Sequence, residues 1–365
     1  MSEWKEYKLG EVLEIKYGKD HKKLNNGTIP CLGSGGIMRF VDKSIYEQES
    51  ILIPRKGTLN NIMYQNKPFW TVDTMFWSKI DQEKVFPKFL YYQLSLIDYT
   101  NLNVGSAVPS LTVQVINEID INLPSINEQK AIANVLSSLD DKIDLLNRQN
   151  AKIEKMAETL FRKWIIDENR GTINQLISIQ NGYAFKSKDF KDIGVNGVVK
   201  IKNISGGIID IEKTDFINDE VALKIQDHFK INTGDILIAM TGAEIGKLGI
   251  IPKTKKNLWL NQRVGLLKEK YKGSKYLAYL QLKSEFGQDY IENAANGSAQ
   301  PNISGTSIEG CGFPILSDEL IREYSFQIGE LYDKVICNLG QIQTLTTFRE
   351  TLLPKLMSSE VKVNL

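Results

Sequence analysis

Residues 241–249, TGAEIGKLG, hold a lysine and glycines that could cradle a phosphate. That chemistry needs a glycine five residues before Gly246, so that backbone amides can close on the anion, and a Ser or Thr after Lys247 to reach magnesium. Thr241 and Leu248 stand in those two places, so the pattern fails. GSGG at 33–36 lacks the third glycine of a dinucleotide-binding turn, and no helical pattern follows it; it reads as a plain turn. Glu14 and Lys16 form the E-x-K pair that nucleases use, without an acidic partner at a fitting distance, and read better as the exposed face of a strand. No Asn-Pro-Pro-Tyr or Asp-Pro-Pro-Tyr tetrapeptide is present to hold a flipped adenine, which argues against the chain methylating DNA itself. With two histidines, His21 and His228, and three scattered cysteines, Cys31, Cys311 and Cys337, no metal site is expected. Reduced core thiols fit the odd cysteine count better than a disulfide framework does. No catalytic constellation closes, and the chain reads as a recogniser.

Side chains suited to recognition cluster at glycine-bounded turns. In the first half they are Arg39, Arg55, Lys56, Thr58, Asn60 and Asn61; in the second, Lys200, Lys202, Asn203, Thr241, Lys247, Gln262 and Arg263. A loop bearing Arg, Lys and Asn can set a guanidinium fork on guanine and an amide on adenine. Lys22, Lys23, Lys186 and Lys188 suit phosphate contact instead. Every one of these also reads as a solvated turn residue. The loop GSAVP (105–109) returns as GSAQP (297–301). Ser106 and Ser298 could donate to a phosphate or cap a turn, and the two loops read equally well as structural hinges.

The returning loop belongs to a longer repeat. Shifted by 192 residues, 105–165 matches 297–357 without a gap, with 14 identities in 61 positions. Chance would give roughly 4, at about 6% per position. The second half of each copy carries a helical pattern. In LPSINEQK (123–130), Ser125 and Glu128 form a capping box. Downstream, Leu139, Ile143, Leu146, Asn150, Ile153, Ala157, Leu160 and Trp164 alternate spacings of four and three, a heptad seam that is apolar except at Asn150. Leu331, Val335, Asn338, Ile342, Leu345, Arg349, Leu352 and Leu356 keep the same register in the second copy. Neither helix can hide its seam alone. Antiparallel packing that pairs Asn150 with Asn338 also pairs Leu146 with Ile342, and the polar pair would fix register; the asparagines also read as facing solvent at a local irregularity. Trp164 reads as core packing, and Pro354 should kink or end the second helix.

The segments ahead of the helices echo one another too. SILIPRKGTLNNIMY (50–64) resembles DILIAMTGAEIGKLGI (235–250), and KFLYYQL (88–94) resembles KYLAYLQL (275–282). The expected fold class is α+β: two similar globular domains joined by two long α-helices packed as an antiparallel coiled coil, with a pseudo-twofold internal repeat. The expected boundaries are 1–126, a helix at 127–168, 169–316, a helix at 317–358 and a tail at 359–365.

Composition bounds the class. The 365 residues carry a net charge of +1, which argues against coating nucleic acid by bulk electrostatics and leaves room for a local basic face. Charged residues at 24% and apolar ones at 42% suit a globular protein, and no apolar run is long enough to suggest a membrane span or signal peptide. A cytoplasmic location is expected.

The stretch LPSINEQKAIANVLSSLDDKIDLLNRQNAKIEKMAETLFRKWI (123–165), with FRETLLPKLMS (348–358), resembles the conserved helical regions of specificity subunits of type I restriction-modification systems. WKEYKLGEVLEIKYGK (4–19), GSGGIMRFVD (33–42) and ILIPRKGT (51–58) resemble parts of that family's target recognition domain. The resemblance covers essentially the whole chain. It implies a noncatalytic subunit in which each globular domain reads one half of a split, asymmetric duplex DNA target while the helices set the spacing. It implies two modification subunits as partners, bringing S-adenosylmethionine, and ATP-dependent restriction and translocation subunits beyond them; no cofactor is expected on this chain. The alternative is a coiled-coil adaptor whose globular domains bind peptide or RNA, which the near-neutral charge suits.

Overall fold

The computed structural model describes residues 4–105, 108–165, 170–295 and 301–363. The chain divides into two compact units: unit 1 is Met1–Asp141 with Thr346–Leu365, and unit 2 is Lys142–Leu345.

In unit 1 the elements that matter are β1 (Leu13–Tyr17), β2 (Asn26–Gly33), β3 (Ser50–Pro54), β4 (Trp70–Thr71), β5 (Met75–Ile80) and α1 (Pro87–Leu94). Every residue of β3, SILIP, is buried, as expected of an apolar run inside a sheet covered on both faces. β5 lies between β1 and β3, antiparallel to both. Just before β5, the chain runs as β4 parallel to β2 in a second, smaller sheet. Ile51, Ile53, Phe76, Phe89 and Leu90 meet in the core beneath α1.

The long helix α2 (Ile126–Trp164) starts in unit 1 and ends in unit 2. Ser125 Oγ accepts from the Glu128 amide at 3.3 Å, the first half of the expected capping box. Buried Gln129 fixes the helix start: its Oε1 accepts from the Phe86 amide at 2.8 Å and its Nε2 donates to the Pro124 carbonyl at 3.0 Å.

Unit 2 repeats the plan with β6 (Ile177–Asn181), β7 (Asn196–Val199), β8 (Ile236–Ala239), β9 (Asn257–Leu260), β10 (Val264–Glu269) and α3 (Ser274–Lys283). β10 lies between β6 and β8, antiparallel to both, and β9 runs parallel to β7.

The second long helix is α4 (Asp318–Met357). Inside unit 2 it runs antiparallel to α2, because Asn150 meets Asn338 and Trp164 meets Tyr324: fourteen steps up one helix match fourteen down the other. Asn338 Nδ2 donates to Asn150 Oδ1 at 2.8 Å, and both side chains are buried, so the solvent-facing alternative is not what forms. The Trp164 and Tyr324 rings stack at 4.3 Å, which is core packing. Leu146 and Val335 are buried; Ile153, Leu160, Leu331 and Ile342 pack against the unit 2 core, and Leu139, Ile143 and Leu345 are half-buried.

In unit 1, Arg349 of α4 pairs with Asp140 of α2 at 2.8 Å, and Tyr92 Oη donates to the same carboxylate at 2.5 Å. Leu352 and Leu356 join the unit 1 core. The helix continues through Pro354 and stops three residues later, at Met357. Proline removes one amide without forbidding the final turn, whose carbonyls are unpaired at a helix end anyway.

Candidate nucleic-acid interface

The two units share a lattice of backbone hydrogen bonds. Lys19 N donates to Thr71 O at 2.8 Å, and Tyr183 N donates to Leu260 O at 2.8 Å. Arg55 N reaches Thr74 O at 2.8 Å where Met240 N reaches Arg263 O at 3.0 Å. Leu111 N donates to Arg55 O and Ile303 N to Met240 O, at 2.9 and 3.0 Å. Gly57 N donates to Pro109 O at 3.2 Å, and Gly242 N to Pro301 O at 2.9 Å. Gly57 and Gly242 sit at φ of +90° and +80°, a left-handed geometry that favours glycine. Thus the prolines that close the repeated GSA-x-P loops receive the turn after the buried strand, a structural duty. Ser106 and Ser298 lie outside the described residues.

This lattice frames one cleft in each unit. In unit 1 a cavity of about 690 Å³ is lined by Asp20–Lys22, by Gly33–Gly35 at the end of β2, by Met38, and by Val72, Asp73 and Thr74 on the turn entering β5. In unit 2 a cavity of about 810 Å³ is lined by Phe185 and Ser187, by Lys200, Ile201 and Lys202 at the end of β7, by Asp215, and by Asn261, Gln262 and Arg263 on the turn entering β10. Strand register makes these places equivalent. Leu32 pairs with Thr71 where Val199 pairs with Leu260, so Gly33–Ser34–Gly35 corresponds to Lys200–Ile201–Lys202. Ile15 pairs with Ser78 where Ile179 pairs with Leu267, so Val72–Asp73–Thr74 corresponds to Asn261–Gln262–Arg263. The scaffold repeats and the lining does not.

The two linings differ electrostatically. Asp215 sits between Lys200 at 2.7 Å and Lys202 at 2.6 Å. Burial alone would push its carboxyl up, but the two ammonium groups outweigh burial and hold it below its ordinary value. The Lys200 ammonium also lies 3.6 Å from the centre of the Phe190 ring. In unit 1 the corresponding wall is Gly-Ser-Gly, and buried His21 Nδ1 has no hydrogen-bond partner among the described residues. The Asp73, Gln262 and Arg263 side chains are exposed and make no hydrogen bond or ion pair among the described residues.

Many of the expected recognition residues have structural engagements. Arg39 donates to Leu24 O at 3.0 Å and Asn26 Oδ1 at 3.1 Å. Asn60 holds Asp98 at 2.9 Å and accepts from the Tyr99 amide at 2.7 Å. Asn61 donates to Ser34 O at 2.7 Å, bracing the cleft wall. Arg55 donates to Asp73 O at 3.2 Å and lies over the Tyr17 ring, so it props the turn entering β5. Asn203 is buried, accepting from Lys200 N and donating to Lys213 O, both at 2.9 Å. Lys247 pairs with Glu244, and Lys16 with Glu14 on the strand face. Lys56 and Thr58 are exposed on the Gly57 turn, while Thr241 forms a bridge with Asn302. Lys22, Lys23, Lys186 and Lys188 are exposed, and Lys22 lines the unit 1 cleft.

The structure therefore brings together Lys200, Lys202, Gln262 and Arg263 in one cleft, and sets Arg55 and Asn61 behind the other. It adds His21, Ser34, Asp73, Phe190 and Asp215, which sequence reasoning missed. No local signal marks them: WTVDTMF (70–76) and WLNQRVG (259–265) share only the opening tryptophan, and strand register is what makes them equivalent. Among the described residues no group of His, Cys, Asp and Glu is arranged to hold a metal ion, and no helix is long and apolar enough to cross a membrane.

Comparison with known proteins is consistent across the chain. The profile of the type I restriction modification DNA specificity domain matches twice, at residues 1–155 and 167–319. The type I restriction enzyme MjaIX specificity subunit of Methanocaldococcus jannaschii is 27% identical over 350 residues, covering 87% of this chain and 79% of that protein. The HindI specificity subunit of Haemophilus influenzae is 22% identical over 462 residues, covering 99% of this chain and 100% of that one. The crystal structure of a type I restriction-modification system S subunit from M. genitalium superposes with a TM-score of 0.67 at 18% identity, covering 99% of this chain and 96% of the other; it establishes likeness of fold.

Proposed function

The chain belongs to the type I restriction-modification DNA specificity family, and from that premise we propose that it is the noncatalytic subunit that chooses where a methylating and restricting complex acts on duplex DNA. Each unit reads one half of a bipartite, asymmetric target, with residues 1–126 and 169–316 as the two readers. The paired helices set the gap between the half-sites and dock two modification subunits. Those subunits bring S-adenosylmethionine, and restriction subunits bring ATP, so this chain needs neither. The complex works in the cytoplasm.

One observation carries this reading: the same hydrogen-bonded scaffold occurs in both units and frames clefts whose linings differ in charge and shape. A protein that recognised one ligand twice would have no use for that divergence, whereas two unlike half-sites demand it. The near-neutral net charge fits a subunit that shares phosphate contacts with its partners. The test exchanges residues 1–104 for the corresponding segment of another specificity subunit and maps methylated adenines in the host genome. One half of the methylated sequence should change and the other persist; a change in both halves would refute the division of labour.

A further inference from the structure

We propose that the turn entering the central strand of each unit is its base-reading element, with Asp73 the reader in unit 1 and Gln262 and Arg263 the readers in unit 2. This rests on the two-reader function above and assigns residues within it.

Three independent features converge on these side chains. The first is position. Register places Asp73 at the same point of the fold as Gln262, and Thr74 at that of Arg263, on a turn anchored at both ends. Ahead of the turn, Val72 N donates to Leu32 O at 3.1 Å and Asn261 N to Val199 O at 3.3 Å; behind it, Arg55 N and Met240 N hold the carbonyls of Thr74 and Arg263. Glycine is required beside each turn, because a Cβ at Gly18 would lie 2.0 Å from Val72 O and one at Gly182 would lie 2.3 Å from Asn261 O. A rigid mount is what a specific contact needs.

The second feature is availability. Arg39, Asn60, Asn61 and Asn203 are committed to carbonyls and carboxylates of their own unit. Asp73, Gln262 and Arg263 are exposed at a cleft with their hydrogen-bonding groups unused among the described residues.

The third feature is chemical difference at matched places. A guanidinium presents a two-pronged donor that fits N7 and O6 of guanine, and a primary amide can both accept and donate at N6 and N7 of adenine. A carboxylate offers only acceptors, which suit the N4 amino group of cytosine and oppose guanine's acceptor edge. The half-site read by unit 2 should accordingly contain a guanine held by Arg263, with adenine suited to Gln262. The half-site read by unit 1 should contain a cytosine held by Asp73.

The test compares methylated sequences in a host carrying the assembled complex with the wild-type chain, Arg263→Ala, Arg263→Lys or Asp73→Asn. Arg263→Ala and Arg263→Lys should each lose discrimination roughly ten- to a hundred-fold at a single guanine position of one half-site, because lysine keeps the charge and loses the fork. Asp73→Asn should change preference at one position of the other half-site, away from cytosine. The unaltered half reports that folding and assembly are intact. Should Arg263→Ala abolish methylation altogether, Arg263→Lys decides. Retention of the wild-type target by both Arg263→Lys and Asp73→Asn would overturn the assignment, as would a change in the half-site belonging to the other unit. A wild-type chain that directs methylation to no split sequence would overturn the two-reader function, and this assignment with it.

Discussion

Replacing Asn338 by leucine should destabilise the helix pair, and replacing Asn150 as well should restore it. Asn338 is fully buried and Asn150 is 6% exposed, so neither can turn to water. They share one hydrogen bond of 2.8 Å, and Asn150 Nδ2 and Asn338 Oδ1 have no partner among the described residues. Removing one amide loses a bond worth about 1 kcal/mol and strands the other asparagine, at a further cost of about 1–3 kcal/mol. Each single substitution should therefore cost about 2–4 kcal/mol. The double Leu variant removes four buried polar atoms, two of them already unsatisfied, and should lie within about 1 kcal/mol of wild type. Hydrogen exchange of amides flanking positions 150 and 338 reads this as a local opening free energy, without assuming that a chain of two units unfolds in one step. Single costs that simply add in the double variant, or singles with no effect, would refute the reasoning. The double variant should also blur register, as loss of a buried asparagine does in coiled coils; its methylated targets should then show more than one gap length.

Three further outcomes are expected. Gly18→Ala and Gly182→Ala each push a methyl group into a backbone carbonyl of a recognition turn, and each should weaken its own unit by about 1–3 kcal/mol while blurring only its own half-site; methylation mapping beside limited proteolysis checks this. Burial pushes the Cys311 thiol up to about 12 and raises that of Cys31, whereas Cys337 is partly exposed, so a maleimide at neutral pH should label Cys337 alone until denaturant is added. Lys200 and Lys202 hold the folded-state pKa of Asp215 below its ordinary value, despite opposing burial. Its stabilising contribution is thus complete above the unfolded value of about 3.9 and fades as pH falls through the lowered folded value. Asp215→Asn should flatten the loss of unit 2 thermal stability between about pH 5 and pH 2; an unchanged acid limb would show that the lysines do not act on this carboxylate.

The long helices were the most legible part of the sequence because a heptad seam is a local signal: Leu146, Asn150, Ile153 and Ala157 announce their spacing within about three turns, and the matching polar interruption at Asn338 lies on a seam that reads the same way. The buried strand SILIP was legible for the same reason. Recognition residues were less so. Asn60, Asn61 and Arg39 have the right functional groups at a turn, yet their partners Asp98, Ser34 and Leu24 stand 38, 27 and 15 residues away, and nothing local reveals that those donors are already engaged. Asp73 carries no local signal, because the cleft gathers three separated segments, none with a periodicity of its own. Gln262 and Arg263 were visible as chemistry but not as a place; the equivalence of their turn to residues 72–74 emerges only from strand register.

The most direct measurement is the methylated sequence itself, obtained by single-molecule sequencing of a host genome that carries the wild-type chain with its methyltransferase partner. Two unlike blocks separated by a gap of fixed length and indifferent sequence is the expected result, since the two clefts are framed alike and lined differently. A single continuous site, or two identical half-sites, would contradict the claim that this chain carries two distinct readers.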